Sequence, residues 1–277
     1  MSKPVEVEEL VDLRIHRPLA ARLIPLLVRT SITPNQVTLL SGFTGILAGV
    51  CLALGVTRPV MCLVSGALLF LSVVLDCCDG QLARARGISS TTGAILDGVA
   101  DYLVGIALAI GASYFMVMYY HSLWFALLGL AGAASSALQS ALFDHAKTRY
   151  IARVGGGYLE REEDVAEVAR NREAARAAGR WGDVFLFWVY ERYSMAQHAA
   201  LRIDPVNDPV AYRSQNAGRM RAWTWLGIGT HFALAYLFLA LTAAWPHATA
   251  VYMALCATVL NVYLAALVAI EPRRVGE

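Results

Sequence analysis

Six stretches of this chain, at about 36–56, 58–75, 93–119, 121–143, 223–245 and 247–270, are apolar over close to the ~20 residues that a helix needs to cross a bilayer. In lipid a spanning segment must satisfy its own backbone hydrogen bonds, which leaves only helices or closed barrels. These runs are too long for single strands. The expected fold is therefore an all-α membrane protein, a six-transmembrane-helix bundle. Composition supports this, with 57% of residues hydrophobic and only 16% charged, against ~25% charged in soluble domains. Such apolar content excludes intrinsic disorder. A formal charge of +2 is too balanced to hold nucleic acid, which is not an expected partner. The five cysteines show no CxxC spacing and sit mostly within apolar runs, which points to buried spacer thiols.

Positive charge sets the orientation. With six spans and the N-terminus inside, cytoplasmic segments hold 22 of the 23 Lys and Arg residues and leave only Arg58 outside. Both termini are then cytoplasmic, and the protein is expected in the cytoplasmic membrane with polar chemistry on its inner face. Glu6, Glu8, Glu9 and Asp12 precede the first apolar run, so no cleavable signal peptide is expected. Leu19 to Val28, flanked by Arg14, Arg17, Arg22 and Arg29, reads as an interfacial amphipathic helix, with His16-Arg17-Pro18 and Arg22 as a membrane-surface anchor. The expected organisation is a cytoplasmic N-terminus with this helix over 1–35, four spans over 36–144, a cytoplasmic helical insertion over 145–222, and two spans with a tail over 223–277. Within the insertion, Leu159–Gly179 reads as an exposed, solvated helix, and Val184–Tyr190 as an interfacial helix or a lid on the bundle.

Four carboxylates, Asp76, Asp79, Asp97 and Asp101, lie in or beside apolar spans. Each costs roughly 2.5 to 3.5 kcal/mol to insert when ionised, so such groups face a polar cavity or bind a cation. Asp76 and Asp79 are i,i+3, and Asp97 and Asp101 are i,i+4, which puts each pair on one helical face. Two antiparallel helices with these faces opposed would bring together four negative charges, whose repulsion calls for divalent cations between them. Hard oxygen ligands suit Mg²⁺ or Mn²⁺.

Around these positions the chain reads Asp76-Cys77-Cys78-Asp79-Gly80-Gln81-Leu82-Ala83-Arg84, then eight residues, then Gly93-Ala94-Ile95-Leu96-Asp97 and on to Asp101. Gly80 and Ala83 allow close approach to a helix backbone, and Arg84 offers a guanidinium fork for phosphate oxygens. The pattern DxxDGxxARx8GxxxDxxxD resembles that of the CDP-alcohol phosphotransferase (CDP-alcohol phosphatidyltransferase) family at every fixed position. Eight such matches arise by chance less than about once in ten million chains of ordinary composition. The resemblance implies six transmembrane helices and transfer of a phospho-alcohol unit from a CDP-alcohol donor to an acceptor hydroxyl, lipid or polyol, with release of CMP. It implies that Asp76, Asp79 and Asp97 hold two Mg²⁺ or Mn²⁺ ions. Asp101 would lie near the metals as the catalytic base, while Gly80, Ala83, Arg84 and Gly93 line the CDP site. A homodimer in contact with membrane lipids is also implied.

Upstream, Thr33 and Pro34 start the first span as a cap and first helical residue, which is either the whole role of this stretch or one of two, since the resemblance, in which a similar Pro-Asn-x-x-Thr stretch lies near the nucleotide, implies that Asn35 and Thr38 turn toward the cytidine or its phosphate. Lys147, Arg149, Arg219 and Arg221 flank inner span ends, where they either grip a phosphorylated acceptor or anchor the helices by positive-inside charge. Gly45 and Gly49, with Gly129, Ala131 and Gly132, permit close helix packing within the bundle or between subunits. His121, Asp144, His145 and His247 carry no expected role. Phospholipid head-group synthesis is the expected setting. One alternative is a polar-product transferase joining CDP-inositol to inositol phosphate. Another, of a different class, is a cation- or proton-coupled transporter, which also uses intramembrane carboxylates.

Overall fold

The structure, a computed structural model, describes residues 4–88, 91–155, 159–182, 184–185, 187–188, 206 and 208–270, and is all-helical over them. A short helix, α1 (Arg17–Leu27), follows a single π-helical turn at Asp12–His16. The long helices α2 (Pro34–Leu54), α3 (Val60–Arg86), α4 (Thr91–Tyr120) and α5 (Trp124–Gly155) come next. Then come α6 (Leu159–Ala177), α7 (Pro209–Trp223), α8 (Ile228–Thr242), α9 (Ala248–Ala257) and α10 (Val259–Ala269).

The start of α2 is written locally. Thr33 Oγ1 accepts from the Gln36 amide (3.3 Å), the Gln36 side chain accepts from the Thr33 amide (2.9 Å), and Pro34 holds the first helical position. The end of α3 is equally local. Gly87 turns left-handed at φ 65°, and Ile88 N–H reaches back to the Ala83 carbonyl at 2.9 Å. The apolar run in α3 stops near Leu75, yet the helix continues through the polar segment to Arg86, so the motif from Asp76 to Arg84 sits on regular helix. The fourth run likewise continues beyond 143 as α5, and residues 145–155 of the expected insertion belong to that helix.

Among the described residues, five helical stretches are long and apolar enough to cross a membrane: α2, α3, Ile95–Tyr120 of α4, α5, and α9 with α10. A sixth exists if α7 and α8 count as one span bent by 42°. The bend follows a 3-10 turn at Thr224–Leu226 and extended backbone at Gly227. The break between α9 and α10 at Thr258 is bridged from α5. Gln139 Nε2 donates to the Cys256 carbonyl (3.0 Å) and to Asn261 Oδ1 (2.7 Å), and Asn261 Nδ2 donates to Ser135 Oγ (2.9 Å).

Small residues let α2, α3 and α4 approach closely. A Cβ on Gly49 would overlap the Ala107 carbonyl of α4, and one on Gly111 would overlap Gly49 itself. A Cβ on Gly132 would meet the Met253 carbonyl at 2.8 Å. These glycines therefore pack inside the bundle. Ser41 and Ser72 exchange hydroxyl-to-carbonyl bonds of 2.9 Å between α2 and α3. Below them Ala48, Leu52, Leu69, Val73, Leu108 and Met116 form the main core.

Two expectations change. His16, expected in a surface anchor, is fully buried between Phe70 and Tyr236, with Nδ1 2.8 Å from Asp12 Oδ1. The helix that follows lies along α3, with Ala20 buried against it and Leu23, Leu26 and Val28 left exposed. The α6 helix is not solvated all round either: Val168 and Ala175 bury against Ile95 of α4 together with Phe187. Leu186, Val189 and Tyr190 of the expected interfacial stretch lie outside the described residues, as do residues 271–277.

Candidate active site

Against α2, α3 packs antiparallel and α4 parallel, and this packing assembles the site. One ligand oxygen from each of Asp76, Asp79 and Asp97 falls within 4.8 Å of the others, an arrangement that can hold a metal ion. Asp79 is buried, and Asp76 and Asp97 are half-buried. Among the described residues, Asp97 Oδ1 is a buried acceptor with no hydrogen-bond partner. Buried acceptors are ordinarily satisfied, so this atom marks a place where a cation would complete the site. The fourth carboxylate, Asp101, lies one turn further along α4, half-buried and outside this group of three.

Each remaining expected residue has a definite place. Thr38 is buried on α2, and its hydroxyl donates both to Asp79 Oδ2 and to the Pro34 carbonyl (3.2 Å). Asn35 is exposed in the first turn of the same helix. Gly80 faces its own neighbour on α3: a Cβ there would stand 3.5 Å from Arg84 Nη1, an ordinary contact. Arg84 itself is exposed, while Ala83 and Gly93 are half-buried. Arg86, two residues on and on a different side of α3, donates to the carbonyls of Leu27 (2.8 Å), Thr30 (2.7 Å) and Ile32 (2.6 Å), which fixes the link between α1 and α2.

The four basic residues at the inner span ends differ. Lys147 makes a long contact to Asp144 (3.7 Å) and lies over the Phe143 ring, 5.5 Å from its centroid. Among the described residues, the Nε atoms of Arg149 and Arg219 are buried without a partner, although Arg219 Nη2 donates to the Leu267 carbonyl (3.1 Å). Arg221 donates to the Glu8 carbonyl (3.0 Å). At the opposite end of the bundle His247 meets the Tyr120 hydroxyl at 2.6 Å, away from the carboxylates.

Sequence reasoning missed the N-terminal acids as parts of this region. Glu6 accepts from Arg213 Nε (2.6 Å) and Nη2 (3.0 Å) and from the Tyr150 hydroxyl (2.9 Å). The Arg213 guanidinium holds the Glu6 carboxyl down to about 2. Glu8 pairs with Arg17. Glu9 is buried and accepts from the amides of Gly229 (3.3 Å) and Thr230 (2.5 Å) and from the Thr230 hydroxyl (2.7 Å). Burial, and then the nearby Asp12 charge, push Glu9 up to about 7. Their partners lie more than 200 residues away in most cases, so no local spacing could reveal them.

Part of the chain resembles a characterised protein. Over 90 residues it is 42% identical to the bifunctional IPC transferase and DIPP synthase of Rubrobacter xylanophilus, covering 31% of this chain and 20% of that protein. The chain thus matches only about a fifth of that relative's length. The profile of the CDP-alcohol phosphatidyltransferase family matches residues 31–175, more than half of the chain and the whole of the carboxylate site. With its helical spans, its clustered carboxylates and this match, the chain belongs to the CDP-alcohol phosphatidyltransferase family.

Proposed function

We propose that this protein transfers a phospho-alcohol unit from a CDP-alcohol donor to an acceptor hydroxyl and releases CMP. The observation that carries the reading is the convergence of Asp76, Asp79 and Asp97, with one buried oxygen of Asp97 left without a partner. Asp76, Asp79 and Asp97 would hold Mg²⁺ or Mn²⁺, two ions in the family's manner. Bound divalent ions supply the positive charge that masks the donor pyrophosphate and stabilises the leaving CMP oxygens. Arg84, exposed at the polar end of α3, reaches the donor phosphates, and Gly80, Ala83 and Gly93 keep the backbone open to them. Thr38 holds Asp79 in place, and Asn35 faces the nucleotide from the start of α2. Asp101, one turn from Asp97, takes the proton of the attacking hydroxyl.

The site opens to the cytoplasm of a six-span protein in the cytoplasmic membrane, with both termini inside. The exposed Leu23 and Leu26 of α1, with Val28 at its C-terminal cap, support an interfacial helix. The chain works as a homodimer. On the acceptor side, Lys147 and the unpaired Nε atoms of Arg149 and Arg219 favour an acceptor that carries a phosphate. The relative's name, which joins an IPC transferase to a DIPP synthase, is consistent with the polar-product reading. Against a transporter stands the apolar packing of Leu52, Leu69, Leu108 and Met116 that fills the bundle beyond the carboxylates.

The test is a screen of CDP-alcohols and acceptors with purified protein, reading CMP. Release that needs Mg²⁺ or Mn²⁺ and an added acceptor is expected. Ion flux into vesicles without CMP release would replace this reading with transport.

A further inference from the structure

Past α6 the chain folds back at Gly179, which turns left-handed at φ 69°. The Gly179 amide donates to the Arg176 carbonyl (3.1 Å) and the Arg180 amide to that of Ala175 (2.9 Å), the pattern of a glycine-ended helix. Helix resumes at each described residue from Trp181 to Trp188, beyond the family match, which stops at residue 175. This second helix of the hairpin has two unlike sides. Val184 and Phe187 pack with Val168 and Ala175 of α6 against Ile95 and Val99 of α4. Trp181, Phe185 and Trp188, at i, i+4 and i+7, are 67%, 62% and 46% exposed, and the Phe185 and Trp188 rings stack with centroids 6.3 Å apart.

The place where the hairpin is held decides what its aromatic side meets. Ile95 opens the apolar stretch Ile95–Tyr120 of α4, so the hairpin sits at the level where that span leaves the membrane. Asp97 is two residues from both Ile95 and Val99, which at 100° per residue puts its carboxylate on the other side of α4. The hairpin therefore flanks the bundle and is no lid on the carboxylates. On the same flank the row of Ile95 and Val99 continues through Tyr102 and Ile106, both exposed within the span. An apolar face exposed on a spanning helix meets acyl chains, and the hairpin borders that face at headgroup depth, the level at which tryptophan is enriched. Arg176 and Arg180, exposed on either side of the turn, add the positive charge that anionic headgroups attract.

We propose that Trp181, Phe185 and Trp188 form a membrane-docking stripe that inserts into the headgroup region of an anionic bilayer, so that the hairpin braces α4 from its lipid side. The test uses the full chain reconstituted in vesicles of phosphatidylcholine and phosphatidylglycerol. Trp181→Phe removes one fluorophore and keeps an aromatic ring. The emission it removes, read as the difference from wild type, should be lost to lipid brominated high on the acyl chain and untouched by aqueous iodide. A nitroxide on Phe185→Cys gives an independent reading, with wild type carried through the same labelling as background. It should be relaxed more by oxygen than by a water-soluble nickel chelate, whereas a nitroxide on Glu173→Cys, exposed on α6, should show the reverse order. Quenching by iodide, or relaxation of the label at 185 chiefly by the nickel chelate, would make the stripe a solvated surface and overturn the proposal. Quenching by neither agent would overturn it as well. So would spin–spin broadening at 185 that disappears on dilution with unlabelled protein, which would put a second copy of the chain on this face. None of these outcomes bears on CMP release, so the transferase reading stands or falls separately.

Discussion

The hydroxyl of Thr38 donates to the carboxylate of Asp79, joining the first long helix to the acidic face of the second across 41 residues of chain. Asp79 is buried, so this bond fixes which way one of three converging carboxylates points. Partners of this kind orient metal ligands, and their loss typically lowers metal affinity 10- to 100-fold. Thr38→Val keeps the shape and removes the donor; Mn²⁺ affinity is expected to fall about tenfold, while Thr38→Ser retains most of it. Titration of Mn²⁺ by electron paramagnetic resonance reads both variants.

Asp97 and Asp101 share a face of α4 but have different surroundings. Only Asp97 belongs to the group of three, so Asp97→Asn should lose metal and donor binding together. Asp101→Asn should abolish CMP release while donor binding survives. Equal loss of binding in the two variants would make Asp101 one more ligand.

Glycines on one helix predict opposite outcomes. A Cβ on Gly111 has no room against Gly49, whereas one on Gly105 meets nothing within 4 Å. Gly111→Ala should cost about 1 to 3 kcal/mol through forced separation of α2 and α4. Gly105→Ala should be neutral or stabilising by up to about 1 kcal/mol, from helix propensity. Thermal melts in a single detergent compare them directly.

Stability should depend on pH in two opposed windows. Glu6 is lowered from 4.5 to about 2 by Arg213, so its contribution is complete above pH 4.5 and is lost as pH falls toward 2. Glu9 is raised from 4.5 to about 7 by burial, so the native state holds its proton longer than the unfolded chain does. Its contribution is complete below pH 4.5 and is lost as pH rises to 7. Glu6→Gln should flatten the acid limb of the melting temperature between pH 2 and 4.5, and Glu9→Gln the limb between 4.5 and 7. A Glu9→Gln profile parallel to wild type across the upper window would refute its assignment.

The amino-acid sequence by itself determined the helical class, because no other structure hides backbone polar groups over such long apolar runs. It also determined the first turn of α2, whose cap lies entirely within Thr33 to Gln36, and the carboxylate motif, whose spacing puts each pair on one helical face. Those features depend on neighbours within one or two turns. Tertiary structure decided the rest. The break at Gly227, the convergence of Asp79 with Asp97, the burial of His16 and the grip of Glu9 on Thr230 each need partners brought together only by packing. A charge written near an N-terminus looks solvated until folding removes the water around it. Local periodicity says which face a residue occupies and cannot say what that face meets.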